Sequence, residues 1–264
     1  MGSVQVVIFV FATTILCAAT VFAVRGGVLA RPRMLFSGFD GIGVLTGFVV
    51  FTVASAAFGP VFALSLIVSL LLHEFGHVIG YRMIGHEDAR FRLVPLLSGA
   101  PMSDHPVRTE GQAFFVALMG PGVSIGPMVL AYTLSATLAN SNPEVSGNLR
   151  VFAVTCGTLN FLNLLPFWPL DGGRCTRIFA GNFWPTLAPA LTVFMTAAFT
   201  AAALRTDSLT LFILAGVGVQ SLFQKGEPKR EKLGESNALT AMAAYAFTLA
   251  THFCGGYWLM SHYL

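Results

Sequence analysis

The sequence predicts an all-α polytopic membrane protein of about eight transmembrane helices, with a short membrane-associated β-hairpin or re-entrant loop. Charged residues are 10% of the 264 and apolar residues 55%, against about 25% charged in ordinary soluble domains. Eight apolar runs approach the ~20 residues that a span requires, at 4–24, 42–58, 60–81, 112–139, 150–170, 184–204, 208–224 and 238–260. The basic residues divide unevenly between the two sides that these runs define, as cytoplasmic loops with an excess of Lys and Arg require.

The first run lies in "MGSVQVVIFVFATTILCAATVFAVRGG", which lacks the basic segment of a signal peptide, and is expected to be a retained span. Only "FGP", Phe58 to Pro60, separates the second run from the third, which predicts a tight hairpin. With the N-terminus outside, thirteen of the fifteen basic residues fall on the cytoplasmic side, and only Arg150 and Arg205 fall outside. A second run that did not cross would change the division to ten against five. Eight crossings are therefore expected, with a re-entrant 42–58 as the alternative.

Residues 86–110, "HEDARFRLVPLLSGAPMSDHPVRTE", are polar at both ends around a β-like run, which suits a hairpin or re-entrant loop; Pro95 suits an edge strand. Residues 225–237, "KGEPKREKLGESN", read as a solvated connector. The organisation expected is an N-terminal pair of spans over 1–58, a central core over 59–180 and C-terminal spans over 181–264.

Cys17, Cys156, Cys175 and Cys254 lie far apart, which suggests neither a disulfide framework nor a thiolate metal site. No nucleic-acid motif or phosphate-binding glycine loop occurs. The expected partner at this level is the lipid bilayer, and no nucleic acid. The net charge of +3 reflects topology more than partner choice.

The chemistry is concentrated in "SLLLHEFGHVIGYRMIG", Ser69 to Gly85. "HEFGH" matches the H-E-x-x-H zinc-protease helix signature. On a helix, His73 and His77 project from one face, close enough to share one ion. Glu74 is about 100° round the helix, where it can address a metal-activated water. Catalytic zinc takes three protein ligands and lowers the pKa of a water toward ~7, and a carboxylate then takes the proton. Ionisable groups in a span cost a few kcal/mol each and are kept mostly for function.

Depth selects the third ligand. His73 and His77 fall within roughly 15 Å of the cytoplasmic surface. Asp171 closes an apolar run at that face, in "NFLNLLPFWPLDGGR", Asn160 to Arg174. His86, Asp104 and His105 are on the same side and stay open as alternatives, in a segment whose polarity accounts for them. His252 is placed nearer the outer surface, as a core or interfacial histidine, and His262 lies beyond it. Pro166 and Pro169 prevent a regular helix before Asp171, and Gly172 and Gly173 permit a sharp bend. Broken backbone at membrane depth lines a cavity or is buried in protein. Asn163 can donate to a peptide carbonyl or a developing oxyanion, or make a helix–helix hydrogen bond, which is the reading given to Asn160.

"HEFGH" in one span followed by "NLLPFWPLDGG" in a later one resembles the site-2 protease family, intramembrane zinc metalloproteases that cut within or next to substrate transmembrane helices. "ALMGPGVS", Ala117 to Ser124, is similar to that family's Gly-Pro motif, so the resemblance covers roughly residues 65–180. It implies His73, His77 and Asp171 as ligands of one zinc ion, Glu74 as catalytic base and Asn163 as a substrate-binding residue. It also implies a β-hairpin, which 91–105 could form, that pairs with unwound substrate. Ser124 stands where the family often has an asparagine, and "LLSGA", Leu96 to Ala100, is looser than the usual Gly-Gly turn. No stretch is large enough for a PDZ or nucleotide-sensing domain, so gating is expected from the spans or from a regulatory membrane partner. The short chain is expected in a prokaryotic cell membrane, with its site in the cytoplasmic half. The rival from another class is a zinc-binding transporter or scaffold, which needs polar groups through the full bilayer depth. A protease with a glutamate as third ligand is disfavoured, since no further glutamate lies inside a predicted span.

Overall fold

The computed structural model describes residues 3–30, 35–37, 41–92, 102–168, 170–222 and 230–263. Among these, the chain forms α1 (Ser3–Leu29), β1 (Leu35–Ser37), α2 (Gly41–Phe58), α3 (Pro60–Met83), β2 (Arg90–Arg92), α4 (Glu110–Leu138), α5 (Pro143–Asn163), α6 (Asp171–Phe183), α7 (Leu187–Thr206), α8 (Leu209–Leu222) and α9 (Glu235–Tyr263). Four helical stretches are long and apolar enough to cross a membrane: Val6–Leu29, Pro60–Met83, Glu110–Leu138 and Leu187–Thr206. Shorter apolar stretches, Val44–Phe58 and Leu211–Gln220, lie in α2 and α8.

Local chemistry sets the helix boundaries. Gly59 turns between α2 and α3 at φ 91°, a conformation that costs glycine little, and Pro60 opens α3 where its missing N–H is no loss. This is the hairpin expected at "FGP". Thr109 accepts from the Gln112 N–H to cap α4, and Asn142 accepts from the Val145 N–H to cap α5. Asp207, at φ 51°, ends α7.

Helices α3, α4 and α5 pack on one another, and α9 lies across α5 and α6. Close approach is bought by glycine: a Cβ on Gly76 would meet the Met119 carbonyl oxygen at 2.3 Å, and one on Gly157 would meet the Gly256 nitrogen at 2.5 Å. Phe114, Leu164, Cys175, Ile178 and Tyr245 form the core where α4, α6 and α9 meet. The apolar face of α1 is by contrast exposed, with Phe11 68% and Val21 67% accessible, as a lipid-facing helix requires. Arg82, buried near the end of α3, donates through Nε to Gly27 O at 2.8 Å and through Nη2 to Ala30 O, tying down the carbonyl end of α1.

The loop regions carry short backbone pairings. Strand β2 pairs in parallel with β1, Phe91 opposite Phe36, and the Arg90 N–H donates to Met102 O at 2.8 Å. Residues 93–101, the body of the expected hairpin with Pro95 and Leu96 to Ala100, lie outside the described residues, as do 223–229 in the charged loop. The remainder of that loop is docked on the fold. Glu231 bridges to Thr109, its carbonyl accepts from the Glu110 N–H at 2.9 Å, and the Leu233 N–H donates to Glu110 Oε2 at 2.9 Å. Hydrogen bonds thus hold residues 231–233 to the start of α4, while Glu231, Lys232 and residues 234–237 stay exposed, in keeping with the solvated connector expected.

Candidate metal centre

Three side chains from two distant segments meet inside the bundle. The Nε2 atoms of His73 and His77 are 3.0 Å apart, and Asp171 Oδ2 is 3.1 Å from the first and 3.2 Å from the second. All three residues are buried, at 5%, 6% and 6% exposure. Tetrahedral zinc with ligands at about 2.1 Å has ligand–ligand edges of about 3.4 Å, so the triangle is the size such an ion needs, slightly contracted. Among the described residues, this is the one group of three or more metal-capable side chains that converges in this way.

Hydrogen bonding fixes what the triangle presents. His73 Nδ1 lies 2.8 Å from Asn160 Oδ1, and His77 Nδ1 lies 2.8 Å from the carbonyl oxygen of Val116. The Asn160 amide orientation follows from its other end, since Nδ2 donates to Cys156 O at 2.9 Å. Both Nδ1 atoms therefore face acceptors and carry the ring proton. In its neutral form each ring then turns an Nε2 lone pair toward the carboxylate. Three lone pairs about 3 Å apart repel; a proton relieves one edge of the triangle, whereas a cation at its centre relieves all three. The donor set thus fits zinc.

Space is provided as well. Gly120 on α4 faces the histidines, and a Cβ there would stand 2.6 Å from His77 Nε2 and 3.1 Å from His73 Cε1. Helix α4 supplies the Val116 carbonyl and this open space within about one turn. Asp171 is the first residue of α6. The glycines after it serve close approach within a helix, where the sequence suggested a bend. A Cβ on Gly172 would meet Leu164 O at 2.0 Å, and one on Gly173 would meet the Phe167 carbonyl carbon at 2.3 Å. That contact packs the α6 start against the turn that follows α5. Arg174 Nη1 stands 3.8 Å from Asp171 Oδ1, one helical turn on.

Glu74 is 7% exposed and next to His73 in α3. Asn163, the last residue of α5, is half-buried, and its Nδ2 donates to Leu159 O at 3.1 Å within its own helix. Asn160, read from sequence only as a helix–helix bond, makes such a bond, and its partner is His73. His86, Asp104 and His105 belong to a separate cluster around Asp88. There Ser103 Oγ bonds His86 Nδ1 at 2.8 Å and Asp88 Oδ1 at 3.0 Å, and His105 Nδ1 pairs with Asp88 at 3.1 Å. His252 is fully buried, with Nε2 2.9 Å from Pro121 O. It is buried as a core histidine is, against the carbonyl of the residue that follows Gly120 in α4. The side chain of His262 lies outside the described residues.

No protein-family model matches the chain. Over 119 residues, 44% of its length, it is 32% identical to a protein of Mycobacterium tuberculosis named as the zinc metalloprotease Rip3. It is 30% identical over 115 residues to stage IV sporulation protein FB of Bacillus subtilis, and 30% identical over 119 residues to a Synechocystis protein named as the zinc metalloprotease sll0528. The matched segments cover 30%, 37% and 31% of those relatives, so the chain spans about a third of the length of the curated relatives it matches. Among solved structures, the site-2 protease of Methanocaldococcus jannaschii aligns with 71% of this chain and 91% of its own, at 20% identity and a TM-score of 0.47. The zinc metalloprotease names of two of these relatives agree with the zinc-protease signature "HEFGH" in α3.

Proposed function

We propose that the chain is an intramembrane zinc endopeptidase, hydrolysing peptide bonds within or next to transmembrane segments of membrane proteins. The observation that carries this is the buried triangle of His73 Nε2, His77 Nε2 and Asp171 Oδ2, with both histidine tautomers set for metal. A zinc ion held by these residues would supply Lewis acidity to a water and to the scissile carbonyl. Glu74 takes the proton from the attacking water and passes it to the leaving amine. Asn163 binds the substrate backbone at the mouth of the site after turning away from Leu159. A substrate helix unwinds locally first, because its carbonyls are otherwise engaged. Eight spans, with the site in the cytoplasmic half of a prokaryotic cell membrane, remain the topology that the basic residues favour.

A zinc-binding transporter or scaffold is not favoured. It needs a polar path through the bilayer, whereas the one described group of three converging metal-capable side chains is the compact set of His73, His77 and Asp171. The test is zinc-loaded Glu74→Gln against wild type on a membrane-anchored substrate. The variant retains metal and loses cleavage; cleavage at wild-type rate by the variant rejects the mechanism.

A further inference from the structure

Beside the metal centre, at the end of the bundle where α3 finishes and α4 and α6 begin, lies a small cavity of about 40 Å³. Tyr81, Val116, Arg174, Ile178 and Arg230 are among the residues that line it. Two of its walls are joined to candidate metal ligands: Val116 O accepts from His77 Nδ1 at 2.8 Å, and Arg174 pairs with Asp171 at 3.8 Å. Among the described residues its lining includes two arginines and no acidic residue. Arg230 is brought there by the docked segment after it, through the bonds from Glu231 and Leu233 to Glu110 and Thr109. Arg174 is held on the opposite side, with its guanidinium 5.3 Å from the Trp168 ring.

From this arrangement we propose that the cavity is a subsite for a carboxylate of the polypeptide substrate, an Asp or Glu side chain close to the scissile bond, recognised by Arg230 and Arg174. The volume suits a small group such as a carboxylate. Guanidinium forks bind carboxylates with charge-assisted, directional hydrogen bonds. An acid seated there lies one residue's contact from both His77 and Asp171, so its register positions the neighbouring peptide bond. The proposal rests on reading the adjacent centre as a peptidase.

The test uses zinc-loaded Glu74→Gln protein, full length in detergent, and a panel of single-helix peptides differing only in Asp against Asn at one position. That position is moved residue by residue through the segment following the helix. Fluorescence anisotropy is expected to show Asp binding about tenfold tighter than Asn at one or two adjacent positions. Adding Arg230→Gln should bring the ratio below about twofold, while Arg230→Lys keeps part of it. Because each protein supplies its own Asp to Asn ratio, a general loss of affinity does not mimic the effect. Where Arg230→Gln lacks a cooperative thermal transition, Arg174→Gln, whose side chain is 46% exposed, gives the same readout. A ratio near one at every position, or a preference unchanged by both arginine variants, overturns the subsite. Cleavage of the same panel by wild type separates the two readings. Cleavage without Asp preference removes the subsite and keeps the peptidase; binding preference without cleavage removes the peptidase and keeps the subsite.

Discussion

His73 Nδ1 and Asn160 Oδ1, on α3 and α5, lie 2.8 Å apart, and this bond decides which nitrogen of His73 faces Asp171. Asn160 is fully buried and anchored at its other end to Cys156 O and, at 3.6 Å, to Cys156 Sγ. Outer partners of ligating histidines typically change metal affinity by about 10–100-fold when removed. Asn160→Leu is expected to weaken zinc binding by that factor in chelator competition, with helix content by circular dichroism retained. Unchanged affinity would show that the tautomer is set elsewhere.

Gly120→Ala places a methyl 2.6 Å from His77 Nε2. Neither ring can withdraw without breaking its Nδ1 hydrogen bond, so zinc content should fall well below that of wild type in protein that still folds. Elemental analysis of purified protein reads this directly. Gly122→Ala, where a Cβ meets nothing within 4 Å, is the matched control on the same helix.

Gly172 and Gly181 both lie in α6, yet opposite outcomes are expected from the same substitution. Gly172→Ala drives a methyl to 2.0 Å from the Leu164 carbonyl oxygen, and backbone cannot yield as a flexible side chain does. A loss on the order of 2 kcal/mol or more is expected. At Gly181 a Cβ meets nothing within 4 Å, and alanine in a helix gains roughly 0.5–1 kcal/mol. Thermal unfolding in detergent separates the two; equal transitions would remove the close-approach account of the glycine pair.

These comparisons also show what could be read ahead of the structure. The i, i+4 spacing of His73 and His77 is a property of any helix, so their convergence was legible. Asp171 came from depth and from its "PLDGG" context, and the triangle now joins it to both histidines. Asn160 and Asn163 are three residues apart on one helix and differ by about 60° in direction. Spacing alone cannot say which faces α3, and the fully buried one does. The β1–β2 pairing escaped because parallel strands over fifty residues apart leave no local pattern. The docking of 231–233 escaped because backbone hydrogen bonds leave no trace in a charged sequence.

The loop after α3 should carry its own acid sensitivity. Burial pushes the Asp88 carboxyl up, but hydrogen bonds from the Asp104 backbone N–H, His105 and Ser103 outweigh it and hold the value at about 2. A depressed carboxylate adds stability that is present above its ordinary value of 3.8 and lost as pH falls through about 2. Protection against hydrogen exchange over residues 86–92 and 102–108, taken relative to the intrinsic rate at each pH, should therefore fall between those values in wild type. In Asp88→Asn it should be low already at neutral pH and change little over the same interval. Equal pH dependence in the two proteins would place the sensitivity elsewhere.

The most direct measurement is zinc per chain, by elemental analysis, in purified wild type, Glu74→Gln and Asp171→Ala. The account predicts about one ion in the first two and less than about a tenth of that in the third, because two histidines alone leave the triangle open. Zinc at background level in wild type, or one ion retained in Asp171→Ala, would contradict the metal centre on which the proposed chemistry depends.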